Sequence, residues 1–146
     1  MNWFECKIRY DKMDSNGVQR TVTESYLVDA LSFTEAEARI VEEMKAFISG
    51  EFTVSGIVRK KFAETFLDEN GDRYYNARLA FIMMEEKSGA EKRQMVNFLV
   101  QASSVKEAVE NVEAGMKGTM CDYEIVSVTE TAIIDLFPYN NKKATE

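Results

Sequence analysis

Residues 26–52, YLVDALSFTEAEARIVEEMKAFISGEF, decide the fold, because the chain states them twice. Residues 98–124, FLVQASSVKEAVENVEAGMKGTMCDYE, repeat the plan seventy-two positions later. Each copy has an apolar run ending in alanine (Ala30, Ala102), then a serine followed three residues on by glutamate. Ser32 with Glu35 and Ser104 with Glu107 each have the S-x-x-E spacing of a capping box, which satisfies amides left unpaired at a helix start. Ala36, Ile40, Met44 and Phe47 then recur at helical spacing, as do Ala108, Val112 and Met116. The spacing predicts helices over about 33–48 and 105–116, ended by Gly50 and Gly118.

Working outward, residues 3–10 alternate, with Phe4, Cys6, Ile8 and Tyr10 on one face and Trp3, Glu5, Lys7 and Arg9 on the other. Asp14-Ser15-Asn16-Gly17 reads as a hairpin turn, and residues 20–28 return as a second strand. A long third strand is expected over 52–67, bent at Ser55-Gly56. The turn Asp68-Glu69-Asn70-Gly71-Asp72 would pair it directly with a fourth strand, in which Tyr75, Ala77, Leu79, Phe81 and Met83 alternate with Tyr74, Asn76, Arg78, Ala80 and Ile82. A fifth strand over 95–100 and a sixth over 123–137 complete the second copy, and Pro138 stops it. The expected architecture is α+β: a tandem ββαβ repeat with pseudo-twofold symmetry, its six strands mostly antiparallel in one sheet or two, with two helices packed on them. Residues 1–138 read as a single domain built of two repeats, about 1–70 and 71–138, and 139–146 as a frayed tail.

Composition bounds the function. The 146 residues are 45% hydrophobic and 29% charged, with a net charge of −7. That balance is globular, and it argues against coating duplex DNA by phosphate neutralisation alone. No run is long and apolar enough for a transmembrane helix, and the N-terminus does not read as a signal peptide, so a cytoplasmic protein without a membrane partner is expected. The absence of histidine removes the commonest general base and metal ligand. No phosphate-binding glycine loop or dinucleotide fingerprint is present. Cys6 reads as a buried small hydrophobe and Cys121 as a surface bystander, and the carboxylate clusters read as solvated surface. No enzyme activity, cofactor or metal site is expected.

Basic and aromatic residues together make the one suggestive constellation. Trp3, Lys7 and Arg9 share a strand face, and Arg59, Lys61, Tyr74 and Arg78 are candidates to converge on another. Aromatics beside backbone-tracking cations are what sequence-tolerant single-strand binding requires. The plain alternative for the same residues is a solvated strand face with aromatics packed beneath a helix. A second function class is a protein-interaction or self-assembling module, with a dimer the commonest closed form, motivated by exposed sheet edges, the acidic surface and the IIDLFPY segment.

The phrases WFECKIRYDK, YLVDALSFTEAEARI, FISGEFTVS, NGDRYY, EKSGAEK, NFLVQAS, GMKGTM and DLFPY resemble a domain-of-unknown-function family of small proteins from gut bacteria and their tailed phages. The resemblance runs to about Tyr139. It carries over no catalytic residue, and its phage occurrence implies a replication or mobile-element setting in which binding of single-stranded DNA is the natural assignment.

Overall fold

The computed structural model describes residues 2–138; the tail expected at 139–146 lies outside the described residues. Ten elements follow in order: β1 (Asn2–Met13), β2 (Gln19–Ala30), α1 (Phe33–Phe47), β3 (Phe52–Lys60), β4 (Glu64–Phe66), β5 (Arg73–Met84), β6 (Glu91–Ala102), α2 (Val105–Gly115), β7 (Asp122–Glu130) and β8 (Ile133–Phe137). The protein is α+β, with two helices and two mixed four-stranded sheets. The chain divides into two compact units, one running to Lys61 and resuming at Ala132, the other spanning Phe62–Thr131.

In the first unit the strand order is β3-β1-β2-β8. β1 runs antiparallel to both β2 and β3, and β8 lies parallel to β2, with Leu27 opposite Leu136. Asp14 shapes the β1–β2 turn by accepting from the amides of Asn16 and Val18, each at 2.9 Å, and Gly17 sits at φ 79°. Such a left-handed residue is what a tight hairpin demands and what glycine adopts at least cost. One face of β1 and β2 presents Phe4, Cys6, Ile8, Tyr26, Val28 and Ala30 to Ala36, Ile40 and Met44 of α1. Each large side chain fully buried there contributes about 1.5–3 kcal/mol. Phe47, expected on the same stripe, is 67% exposed, because α1 stops there and Ile48 turns extended. The helix thus ends before Gly50 is reached.

In the second unit the order is β4-β6-β5-β7, with β5 antiparallel to β6 and β7, and β4 parallel to β6. Tyr75, Ala77, Leu79, Phe98, Val100 and Ala102 pack against Ala108 and Val112 of α2 and against Met116, which caps it. Both helix starts carry the expected serine caps: Glu35 and Glu107 donate their amides to Ser32 Oγ and Ser104 Oγ, each at 3.1 Å. The glutamates reach back one residue further than the simple box, accepting from the amides of Leu31 (2.8 Å) and Ser103 (3.1 Å).

The six expected strands are therefore eight. The long strands expected over 52–67 and 123–137 break at residues 61–63 and 131–132, and each continuation joins the other unit's sheet. Direct pairing of the third expected strand with the fourth does not occur. β4 lies outside β6, and residues 67–72 carry the chain across the end of β6 to reach β5. Gln101 holds that crossing by accepting from the Asp68 amide (3.1 Å) and donating to the Gly71 carbonyl (3.0 Å). A Cβ on Gly71 would stand 2.6 Å from the backbone of Ala102, so only glycine lets the two chains approach this closely. The bend expected at Ser55-Gly56 is a bulge: Lys7 pairs with Gly56 and Ile8 with Val54, leaving Ser55 unpaired in the ladder. Val126 is passed over in the same way in β7.

Candidate nucleic-acid interface

Strand pairing places residues directly opposite one another on the same face of a sheet. In the first unit, Phe4, Cys6 and Ile8 face α1, so Trp3, Glu5, Lys7 and Arg9 face away from it. Trp3 pairs with Lys60, Glu5 with Val58 and Arg9 with Thr53, which puts those β3 residues on the same outer face. Trp3 is half-buried, whereas Lys7, Arg9 and Lys60 are exposed. Lys60 Nζ lies 3.4 Å from Glu5 Oε1. Neither Lys7 nor Arg9 enters an ion pair among the described residues. Arg9 also borders a groove of about 330 Å³ with Asp11, Thr21, Glu51 and Thr53. The outer face thus carries an indole, three cations and three carboxylates: Glu5, Asp11, and Asp29 opposite Trp3.

The other four sequence candidates are placed differently. Arg59 pairs with Phe4 and so lies on the helix side of the sheet, opposite to Trp3. Lys61 is exposed just past the end of β3. Tyr74 and Arg78 belong to β5 in the second unit, so no one sheet holds Arg59, Lys61, Tyr74 and Arg78 together. Arg78 is exposed on the outer face of its sheet. Tyr74, on that same face, is only 6% exposed, too enclosed to offer its ring to a base. Its backbone carbonyl accepts from both the amide and the hydroxyl of Thr131.

Lys60 is the residue that sequence reading missed. Alternation along β3 correctly separates Val58 and Lys60 from Ile57 and Arg59, yet it does not say which set faces the helix. The bulge at Ser55 decides this by bringing Val54 and Ile57, three apart, onto the core side. Two apolar residues at odd spacing flanking a Ser-Gly pair are the available signal.

No trio of His, Cys, Asp or Glu among the described residues is arranged to hold a metal ion. No helix among the described residues is long and apolar enough to cross a membrane. A groove of about 730 Å³ lies in the second unit between α2 and residues 65–70, where Phe66, Asp68, Asn111 and Gly115 line it. Asp68 is already engaged there, accepting from the Asn70 amide at 3.1 Å and from Asn111 Nδ2 at 3.4 Å. Cys6 is fully buried, and its thiol is pushed up to about 12 by burial and then by the nearby Glu5 charge; Cys121 is exposed.

No curated protein and no solved structure matches the chain. The model of one protein family, described as Domain of unknown function (DUF4494), matches residues 2–139, and the chain belongs to that family.

Proposed function

We propose that this protein is a non-enzymatic binding module whose ligand is single-stranded nucleic acid, held on the outer face of the first unit's sheet. One observation carries the reading: Trp3 stands on a strand face with Lys7, Arg9 and the cross-strand Lys60. An indole supplies a stacking surface for any base, and cations along the neighbouring strands track the phosphates. The net charge of −7 confines such binding to this local patch and disfavours the doubly charged surface of a duplex. Relative to the sequence candidates, the contact set becomes Trp3, Lys7, Arg9 and Lys60, with Arg59, Lys61, Tyr74 and Arg78 outside it. A replication or mobile-element setting, a cytoplasmic location and a tandem ββαβ origin with pseudo-twofold symmetry belong to the same reading. They are supported by the family resemblance and by the matching strand registers of the two sheets.

The test is anisotropy of a labelled oligothymidylate, with the duplex as control, at low and physiological salt. Trp3→Ala is expected to weaken binding by about 1–3 kcal/mol, and Lys7→Ala with Arg9→Ala to lower both the affinity and its salt slope. Arg59→Ala and Tyr74→Phe are expected to leave the affinity unchanged. Absence of binding at low salt, or an equal loss in the Arg59 variant, would sink the proposal.

A further inference from the structure

Each sheet ends on a nine-residue strand with no partner on its outer side among the described residues: β3 in the first unit and β7 in the second. Both outer strands are exposed along much of their length, Val58 at 51% and Val126 at 47% included. Unpaired backbone donors and acceptors on such an edge are a template for another strand, and proteins commonly blunt them with charge. Here the charges on the two edges have opposite sign. β3 ends in Arg59-Lys60 and runs on to Lys61, while β7 begins with Asp122 and continues to Glu124. Two β3 edges side by side in parallel, or two β7 edges, would bring like charges together. An antiparallel β3–β7 pair sets the basic end of one against the acidic start of the other.

We infer that the partner of these edges is a second copy of this chain, with β3 of one copy adding antiparallel to β7 of the next. One register satisfies every face at once. With Lys60 opposite Asp122, Ile57 meets Ile125 and Arg59 meets Tyr123 on the helix side, and Val58 meets Glu124 on the outer side. Lys60 and Glu124 already pair within their own sheets, with Glu5 and Arg93. Arg59 and Asp122 enter no ion pair among the described residues and bring uncompensated charge to the junction. The bulges at Ser55 and Val126 interrupt both ladders near their middles, which keeps the added pairing short and reversible. Because the two edges differ, the contact is heterologous, and it closes into a ring or extends as a chain according to the rotation between copies.

The inference does not rest on the proposed nucleic-acid site, and its test contains no nucleic acid. Mass is followed by sedimentation over a wide range of concentration, at about 20 mM and about 500 mM salt, conditions that change the Debye length several-fold. The native protein is expected to exceed its protomer mass at low salt and to return toward it at high salt. Arg59→Glu/Lys60→Glu and Asp122→Lys/Glu124→Lys are each expected to remain protomers. An equimolar mixture of these two variants is expected to assemble again, since each junction then joins one basic and one acidic edge. Recovery on mixing also shows that both variants are folded. A protomer mass under all conditions overturns the inference, as does either variant assembling as well as the native chain, or a mixture that stays dissociated.

Discussion

The strands that the two units exchange, β8 and β4, hold the same place beside β2 and β6, yet they are secured differently. β8 has five residues, and Phe137 at its end lies stacked on Tyr26 with ring centroids 5.9 Å apart. β4 has three, and Phe66 meets Phe98 edge-on at 5.4 Å while its other side rests on Gly115 of α2. Tyr26 and Phe98 are the matching positions of the repeated stretch. The longer strand is thus held by its ladder and a stacked pair, and the shorter one depends on a ring seated against a bare helix backbone. A strand contributing fewer hydrogen bonds must gain more from side-chain packing, and the glycine makes that packing possible.

The largest effect should come from filling that seat. A Cβ at Gly115 would stand 2.6 Å from the Phe66 ring, so Gly115→Val must push β4 off α2. A loss of about 2–3 kcal/mol is expected, read as a lower urea midpoint. An unchanged midpoint would mean that β4 is not anchored by this contact.

The outer faces of the two sheets differ as much as the exchanged strands do. By register, Trp3, Lys7, Arg9 and Lys60 correspond to Tyr74, Arg78, Ala80 and Thr131. The second unit keeps one cation of three, and its aromatic ring is buried. This contrast was half legible in the sequence. The caps, the β1–β2 hairpin and the two faces of β1 and β5 all follow from local patterns, since side-chain direction in a strand depends only on parity. The exchange of strands does not follow from it. β4 and the segment after β7 have the same alternation wherever they pair, and a parallel partner far along the chain leaves no local mark. Residues 61–63 contain neither proline nor a flexible linker, yet a two- or three-residue break is enough to change sheets. The face of Arg59 is hidden for a related reason: an edge strand with polar residues on both faces does not reveal which face is inward.

A smaller effect separates two helix side chains at corresponding positions. Arg39 of α1 donates to the carbonyls of Asp29 and, at 3.2 Å, of Pro138 beyond β8. Asn111 of α2 donates to the Gln101 carbonyl at 3.0 Å and to the Asp68 carboxylate, just beyond β4, at 3.4 Å. Each side chain therefore ties a helix to the strand beneath it and to the end of the exchanged strand. Arg39→Ala and Asn111→Ala should each cost about 1–2 kcal/mol, Arg39 the more because its bonds carry charge. Arg39→Lys should not restore the loss, because one ammonium lacks the fork that reaches two carbonyls. Full recovery by lysine would reduce the role of Arg39 to its charge.

The smallest stability effect belongs to a position where the units differ by one sulfur. Cys6 and Ala77 occupy the same register in β1 and β5, and both are fully buried beneath their helices. A thiol-reactive dye should therefore label Cys121 at once and leave Cys6 untouched until the first unit opens. Burial holds the Cys6 thiol near 12, above its ordinary 9.0, so the folded protein keeps that proton where the unfolded chain releases it. The resulting stability is fully present below pH 9 and is withdrawn as pH rises toward 12. Burial and the neighbouring Glu24 raise Tyr10 and Tyr26 in the same direction, so the native protein loses stability in alkali through all three groups. Cys6→Ala makes the first unit resemble the second and should flatten the fall of the urea midpoint above pH 9 without abolishing it. Equal slopes for the variant and the native protein would show that the Cys6 thiol titrates alike in the folded and unfolded chains.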